Sequence, residues 1–167
     1  MSKRFTLIAT AAMGIEAIVA SEVRNLGYTC KVENGKVTFE GDELAICRAN
    51  LWLRTADRVK LKVAEFPATT FEELFEKTKA IDWAEFLPEN AQFPVIGKSV
   101  KSKLASVSDC QKIVKKAIVE KLKQQYRKTT DWLEETGAVY KIEISLHKDI
   151  ATLTIDTSGD GLHKRGY

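Results

Sequence analysis

Lysine is the residue whose placement in this chain points most directly to chemistry. Residues 93–128 hold ten Lys or Arg against two acids, Asp109 and Glu120, a net of +8 where the whole chain carries +3. Lys98, Lys101 and Lys103 read as a basic loop spaced by Ser99 and Ser102. Lys112, Lys115, Lys116, Lys123 and Arg127 then fall on the polar side of a helix, and Lys121 on its apolar side, where an aliphatic stem can snorkel. Cations around a loop, a helix face and a helix N-terminus form a surface that can follow a phosphate backbone. The bland alternative is a solvated helix face, and Asp109 would repel an anion held tightly at the helix start. The candidate phosphate-contacting residues are therefore Lys98, Lys101, Lys103, Lys112, Lys115, Lys116 and Lys123, with His163, Lys164 and Arg165 from the basic closing stretch SGDGLHKRGY. A competing basic set is Arg58, Lys60 and Lys62, which alternate with Val59, Leu61 and Val63 as the outer face of a strand would.

Other chemistry is sparse. His147 and His163 are the two histidines, and neither has a metal-ligand partner at useful spacing. There is no P-loop, no G-x-S-x-G and no G-x-G-x-x-G. Gly159-Asp160-Gly161 follows a strand pattern, but no helix-forming sequence follows it, so it does not read as a dinucleotide loop. Asp156, at a strand end, reads as an acid bonded into a turn rather than as half of an acid–base pair. Tyr126, Trp132 and Tyr167 could stack on unpaired bases, though packing is the commoner use of such aromatics. No catalytic residue, metal ligand or cofactor-binding residue is assigned.

The elements that must carry these residues follow from periodicity. Residues 4–10 read as a strand and 14–26 as a helix stopped by Gly27. Asn34-Gly35 joins two strands as a hairpin, setting Val32 opposite Val37, Cys30 opposite Phe39 and Glu33 opposite Lys36. Asp42 caps a helix to about Leu53, with Leu44, Cys47 and Leu51 expected inward. A strand over residues 58–63 completes βαββαβ, the ferredoxin-like arrangement. After a break at residues 66–68, Thr70 and Glu73 form a capping box, and a second short helix is expected at residues 83–87. A short strand from Phe93 leads to the basic loop, and Ser108 with Gln111 suggests a capping box for the basic helix. Tyr140 to Leu146 and Ala151 to Ile155 alternate as two strands joined at His147-Lys148-Asp149, making the second half ααβαββ.

A chain of 167 residues allows one domain or two small ones, and 44% hydrophobic content supports a core. Cys30, Cys47 and Cys110 lie far apart on apolar periodicities, which suggests reduced, buried thiols. The N-terminus resembles a signal peptide superficially, but Glu16 breaks the apolar run, and no stretch is apolar for about 18 residues as a membrane span requires. No membrane partner and a cytoplasmic location are expected.

Four stretches carry a resemblance: GKSVKSKL, VSDCQKIVKKAIVEKL, ISLHKDIATLTIDTSG and the closing GLHKRGY. Together they resemble a THUMP domain. With the split βαβ unit in front, the whole chain is similar to the N-terminal region of bacterial large-subunit (23S) ribosomal RNA guanine-N2 methyltransferases. The resemblance implies an α+β fold with a ferredoxin-like domain over residues 1–66, a THUMP RNA-binding domain over 67–158 and the start of a linker over 159–167. It implies RNA, specifically 23S rRNA, as partner, and a C-terminal methyltransferase domain of the same polypeptide that uses S-adenosylmethionine. That family's catalytic signature, Asp or Asn before Pro-Pro-Tyr or Pro-Pro-Phe, is absent, since Pro67, Pro88 and Pro94 stand apart. This chain is thus expected to be a fragment that binds no cofactor and does not methylate by itself. Two other classes stay open. One is the RNA-binding module of a tRNA-thiolating or tRNA-methylating enzyme. The other is a ferredoxin-fold acylphosphatase or a plain interaction domain. The acylphosphatase reading is weakened by the first strand–helix loop, residues 10–14, which holds no cation.

Overall fold

A computed structural model describes residues 4–53, 55–56, 58–126 and 136–157. The chain is mixed α+β and divides into two compact units, one holding the described residues up to Val63 together with those from Ile155, the other Ala64–Thr154. His163, Lys164, Arg165, Arg127, Trp132 and the stretch 159–167 lie outside the described residues.

The first unit begins with β1 (Phe5–Thr10), α1 (Glu16–Asn25), β2 (Cys30–Glu33), β3 (Lys36–Gly41) and α2 (Glu43–Trp52), followed by the start of β4 (Arg58–Pro67). β1 lies between β3 and β4, antiparallel to both, and β2 flanks β3. The β2–β3 register sets Val32 against Val37, Cys30 against Phe39 and Glu33 against Lys36, as the Asn34-Gly35 turn requires. Gly35 takes φ +78, and its N–H donates to Glu16 Oε2 at 2.9 Å, while Gly14 N–H donates to Oε1 at 2.8 Å. One carboxylate thus fastens the start of α1 to the hairpin tip, a role no residue of the α1 N-cap fills. Leu7, Val19, Val23, Val37, Phe39, Val59 and Leu61 form the core.

α2 packs differently from expectation. Asp42 caps it, accepting from Ala45 N–H at 3.2 Å, but the buried residues are Ala45, Ile46 and Ala49. Leu44 and Leu51 are exposed and Cys47 is half-buried. The sequence offers two apolar stripes, and the one with two alanines lets the helix backbone approach closely. Gly41 shows how close: a Cβ there would clash with that of Ala45. Of the cysteines only Cys110 is buried, which pushes its thiol pKa up, while Cys30 is half-buried.

The second unit takes the end of β4, then α3 (Phe71–Lys79), a 3-10 turn (Trp83–Glu85), β5 (Val95–Val100), α4 (Val107–Gln125), β6 (Ile142–His147) and most of β7 (Ile150–Asp156). Thr70 caps α3 as expected, its Oγ1 accepting from Glu73 N–H at 3.1 Å, while Glu73 Oε1 reaches back one residue beyond the cap to accept from Thr69 N–H at 2.9 Å. The second short helix reduces to one 3-10 turn, and it is anchored by buried Trp83, whose Nε1–H donates to the Thr78 carbonyl at 2.8 Å. β4 continues to Pro67, through the expected break. β5 starts two residues later than expected and runs on to Val100, so Lys98 stands on the strand rather than in the loop. β5 pairs parallel with β6, and α4 covers them with Cys110, Val114, Ala117, Ile118 and Leu122. Gly97 permits this closeness, since a Cβ would lie 3.0 Å from Ile144 Cγ2 and 3.3 Å from Gln111 Cγ. Among the described residues no helix is long and apolar enough to cross a membrane.

The Glu16 anchor should be visible in acid. Hydrogen bonds from Gly35, then from its own backbone and Gly14, hold its pKa below the ordinary glutamate value of 4.5. A folded-state pKa below the unfolded one gives stability that is complete above pH 4.5 and lost as pH falls through the lowered value. Glu16→Gln should therefore lower the melting temperature at pH 7 and narrow the drop between pH 6 and pH 3. Thermal unfolding across that range checks it, and parallel curves for the two proteins would refute the anchor.

Candidate nucleic-acid interface

The loop between β5 and α4, residues 101–106, is tightly built despite its length. Leu104 is buried and plugs it into the unit. Ser99 Oγ donates to the Leu104 carbonyl at 2.8 Å and Ser102 Oγ to the Val100 carbonyl at 3.0 Å. Lys101 holds a left-handed backbone, φ 51. The β6–β7 turn meets this loop. Lys148 N–H donates to the Val100 carbonyl at 3.1 Å, Lys103 N–H to Asp149 Oδ1 at 2.8 Å, and Asp149 N–H to Ser102 Oγ at 3.0 Å. Lys101, Lys103, Lys148 and His147 are all exposed.

Both turn residues also have positive φ, 51 at Lys148 and 65 at Asp149. These are the φ signs of a type I′ hairpin turn, a conformation that usually needs Gly or Asn. Left-handed backbone costs a non-glycine residue on the order of 1–2 kcal/mol. A hydrogen bond returns about 1 kcal/mol net, so the three bonds between turn and loop offset part of that cost, and burial of Leu104 adds to them.

The candidate lysines separate by environment. Lys101 and Lys103 lie in the loop, and Lys148 joins them from the β6–β7 turn. Lys112 and Lys116 are exposed on α4; Lys116 Nζ lies 5.8 Å from the centre of the Phe75 ring. Lys98 is exposed and lies 3.9 Å from Glu143 Oε1. Lys123 is half-buried. Lys115 is half-buried and turned to a structural task. Its Nζ donates to the Phe93 carbonyl at 3.1 Å and sits 3.6 Å from the centre of the Phe93 ring. On the first unit's strand, Arg58 is paired with Asp156 at 2.6 Å, and Lys60 and Lys62 are half-buried and engaged within the protein. Asp156 is thereby a buried strand-end acid in an ion pair.

α4 starts at Val107 behind Ser106, whose side chain makes no capping bond. The Ser108–Gln111 capping box does not form, because the helix starts behind Ser106 and Ser108 lies within its first turn; Gln111 Nε2 donates to the Val95 carbonyl at 3.1 Å. Tyr126 packs, its hydroxyl donating to the Leu87 carbonyl at 2.6 Å. No group of His, Cys, Asp and Glu among the described residues could hold a metal ion.

The matches to known families follow the two units. Residues 6–60 match the RlmL ferredoxin-like domain and residues 68–156 the THUMP domain. The chain belongs to the THUMP family. It is 75% identical over 165 residues to a Bacillus subtilis (strain 168) protein described as a candidate RNA methyltransferase, YpsC, covering 99% of this chain and 43% of that protein. A solved Listeria monocytogenes structure, described as a predicted N6-adenine-specific DNA methylase, matches with TM-score 0.91 and 67% identity over 99% of this chain and 43% of that one. SMU.472, described as a candidate methyltransferase and solved with S-adenosylhomocysteine, matches with TM-score 0.89 and 55% identity over 93% of this chain and 42% of that one. This chain therefore spans less than half the length of these relatives.

The β5–α4 loop does not offer the glycine turn of a nucleotide-like cofactor site. A nucleotide-like cofactor binds where a parallel strand turns through glycines into a helix. The parallel β5–α4–β6 passage has no glycine in residues 101–106, and buried Leu104 fills the turn.

The split among lysines can be tested by stability. Lys115→Met removes a cation–π contact and a hydrogen bond, and should cost about 1–2 kcal/mol. Lys112→Gln and Lys116→Gln should stay within about 0.5 kcal/mol, as exposed substitutions do. Urea unfolding of the three variants checks this. A Lys115→Met protein as stable as the parent would return Lys115 to the exposed set.

Proposed function

We propose that this chain is the RNA-binding region of an S-adenosylmethionine-dependent RNA methyltransferase. Its RNA is 23S rRNA, presented for guanine-N2 methylation to a catalytic domain elsewhere in the same polypeptide. The observation that carries the RNA surface is the rigid cluster of exposed Lys101, Lys103 and Lys148, continued by Lys112 and Lys116 on α4. Lys98, Lys123, His163, Lys164 and Arg165 complete the proposed set. Methyl transfer is supported by relatives described as methyltransferases and by the S-adenosylhomocysteine bound to one of them. The rRNA assignment rests on the ordered set of motifs ending in LHKRGY.

The role of the chain is positioning. Phosphate contacts fix register and orientation without reading sequence. A surface whose backbone is already fixed loses little conformational freedom on binding, which favours affinity. The side chains of Lys101, Lys103 and Lys148 supply the charge, and the clasp beneath them supplies the order.

The test is a binding titration over salt. Some four to six phosphate contacts should give a slope of log K against log salt of about −3 to −5. Lys101→Glu with Lys103→Glu should weaken RNA binding by about 1–3 kcal/mol, removing charge-assisted contacts and adding repulsion. Lys60→Glu with Lys62→Glu should cost much less. A flat salt response, or a larger loss from the strand pair, would contradict the proposed surface. Competition among an rRNA fragment, transfer RNA and duplex DNA tests the substrate class. Transfer RNA winning would favour a tRNA-modifying enzyme, and DNA winning would match the description given to the Listeria relative.

A further inference from the structure

Asp149 stands at the centre of the basic surface although it carries the wrong charge for it. Its Oδ1 accepts from Lys103 N–H at 2.8 Å, its N–H donates to Ser102 Oγ at 3.0 Å, and its carbonyl accepts from Ala68 N–H at 2.8 Å. Its neighbour Lys148 is bonded through N–H to the Val100 carbonyl. One residue thus ties the β6–β7 turn to the β5–α4 loop and to the chain entering α3. The charged groups on the elements that meet there are Lys101 and Lys103 of the loop and His147 and Lys148 of the hairpin, all exposed.

We propose that Asp149 is a positioning residue for RNA binding: through Lys103 N–H and Ser102 Oγ it fixes the backbone that presents Lys101, Lys103 and Lys148. The proposal rests on the reading of this surface as the RNA site. Simple electrostatics argues for the opposite effect, since a carboxylate beside a phosphate-binding surface repels phosphate. The acid is retained for the geometry of its acceptor oxygen, and its charge is the cost.

Asparagine separates the two effects. Asp149→Asn removes the charge but keeps an oxygen at Oδ1 and tolerates the left-handed backbone. Asp149→Ala removes the charge and the acceptor together. Both variants carry the same net charge, so electrostatics alone makes both bind RNA more tightly and equally. Positioning makes Asp149→Asn bind as well as the parent or better, and Asp149→Ala bind about 3- to 10-fold more weakly, as losing one ordering hydrogen bond implies. Affinities are measured with a 23S rRNA fragment well below each variant's melting temperature, with circular dichroism confirming the folded state. Faster amide exchange at Lys103 in Asp149→Ala is a second readout, which does not depend on RNA. Equal affinities for the two variants, with Lys101→Glu/Lys103→Glu still impaired, would overturn the positioning role and leave the RNA surface standing. No loss in that lysine pair either would remove the surface itself, and the positioning role with it.

Discussion

The meeting of a two-residue turn and a six-residue loop governs what the second unit can do. Residues 101–106 must cross from the end of β5 to the start of α4, and they do so with Lys101 in a left-handed conformation. Left to itself such a loop would sample many backbone states, each fixed residue costing about 1–2 kcal/mol of entropy to order. Two constraints remove that freedom. Leu104 is buried, and the Lys148-Asp149 turn supplies hydrogen-bond partners for Val100, Ser102 and Lys103. The turn is itself strained, with both central residues at positive φ and neither a glycine. Loop and turn stabilise each other, and the lysines on both become one surface.

The same constraint explains how the lysines of the strongly basic segment divide. A cation close to a fixed aromatic ring and a carbonyl is drawn into the fold, as Lys115 is against Phe93. A cation on a backbone pinned from beneath keeps its side chain in solvent, as Lys101 and Lys103 do. The lysines of β4 are held by their surroundings, and Arg58 neutralises Asp156. Formal charge along the sequence therefore overstates the surface available to phosphate on α4. It understates it at the hairpin tip, where Lys148 belongs to the cluster.

Much of the fold was legible because local chemistry and tertiary packing agree. Asn34-Gly35 fixes the β2–β3 register, Asp42 and Thr70 cap their helices, and the apolar stripe of α4 is the buried one. The failures occur where two local solutions compete. In α2 both stripes are apolar, and close approach at Gly41 selects the alanine side. Ser106 and Ser108 could each stand before α4, and the helix starts behind Ser106. The I′-like turn was the least visible feature. Its signature is Asn-Gly, which stands at residues 34–35, where Asn34 is not among the positive-φ residues; the positive pair occurs at Lys148-Asp149. Charge identified the basic region. The partner that orders it is an acid some forty-six residues away in sequence, outside the reach of any local pattern.

The claim that RNA docks on the loop–turn surface is tested most directly by mapping backbone amides during an RNA titration. In ¹⁵N-labelled protein with a 23S rRNA fragment, the largest shift changes should fall on residues 101–104, 147–149 and the first turns of α4. Amides of β4 at Lys60 and Lys62 should barely move. Changes concentrated on β4 with the 101–104 amides silent would contradict the account.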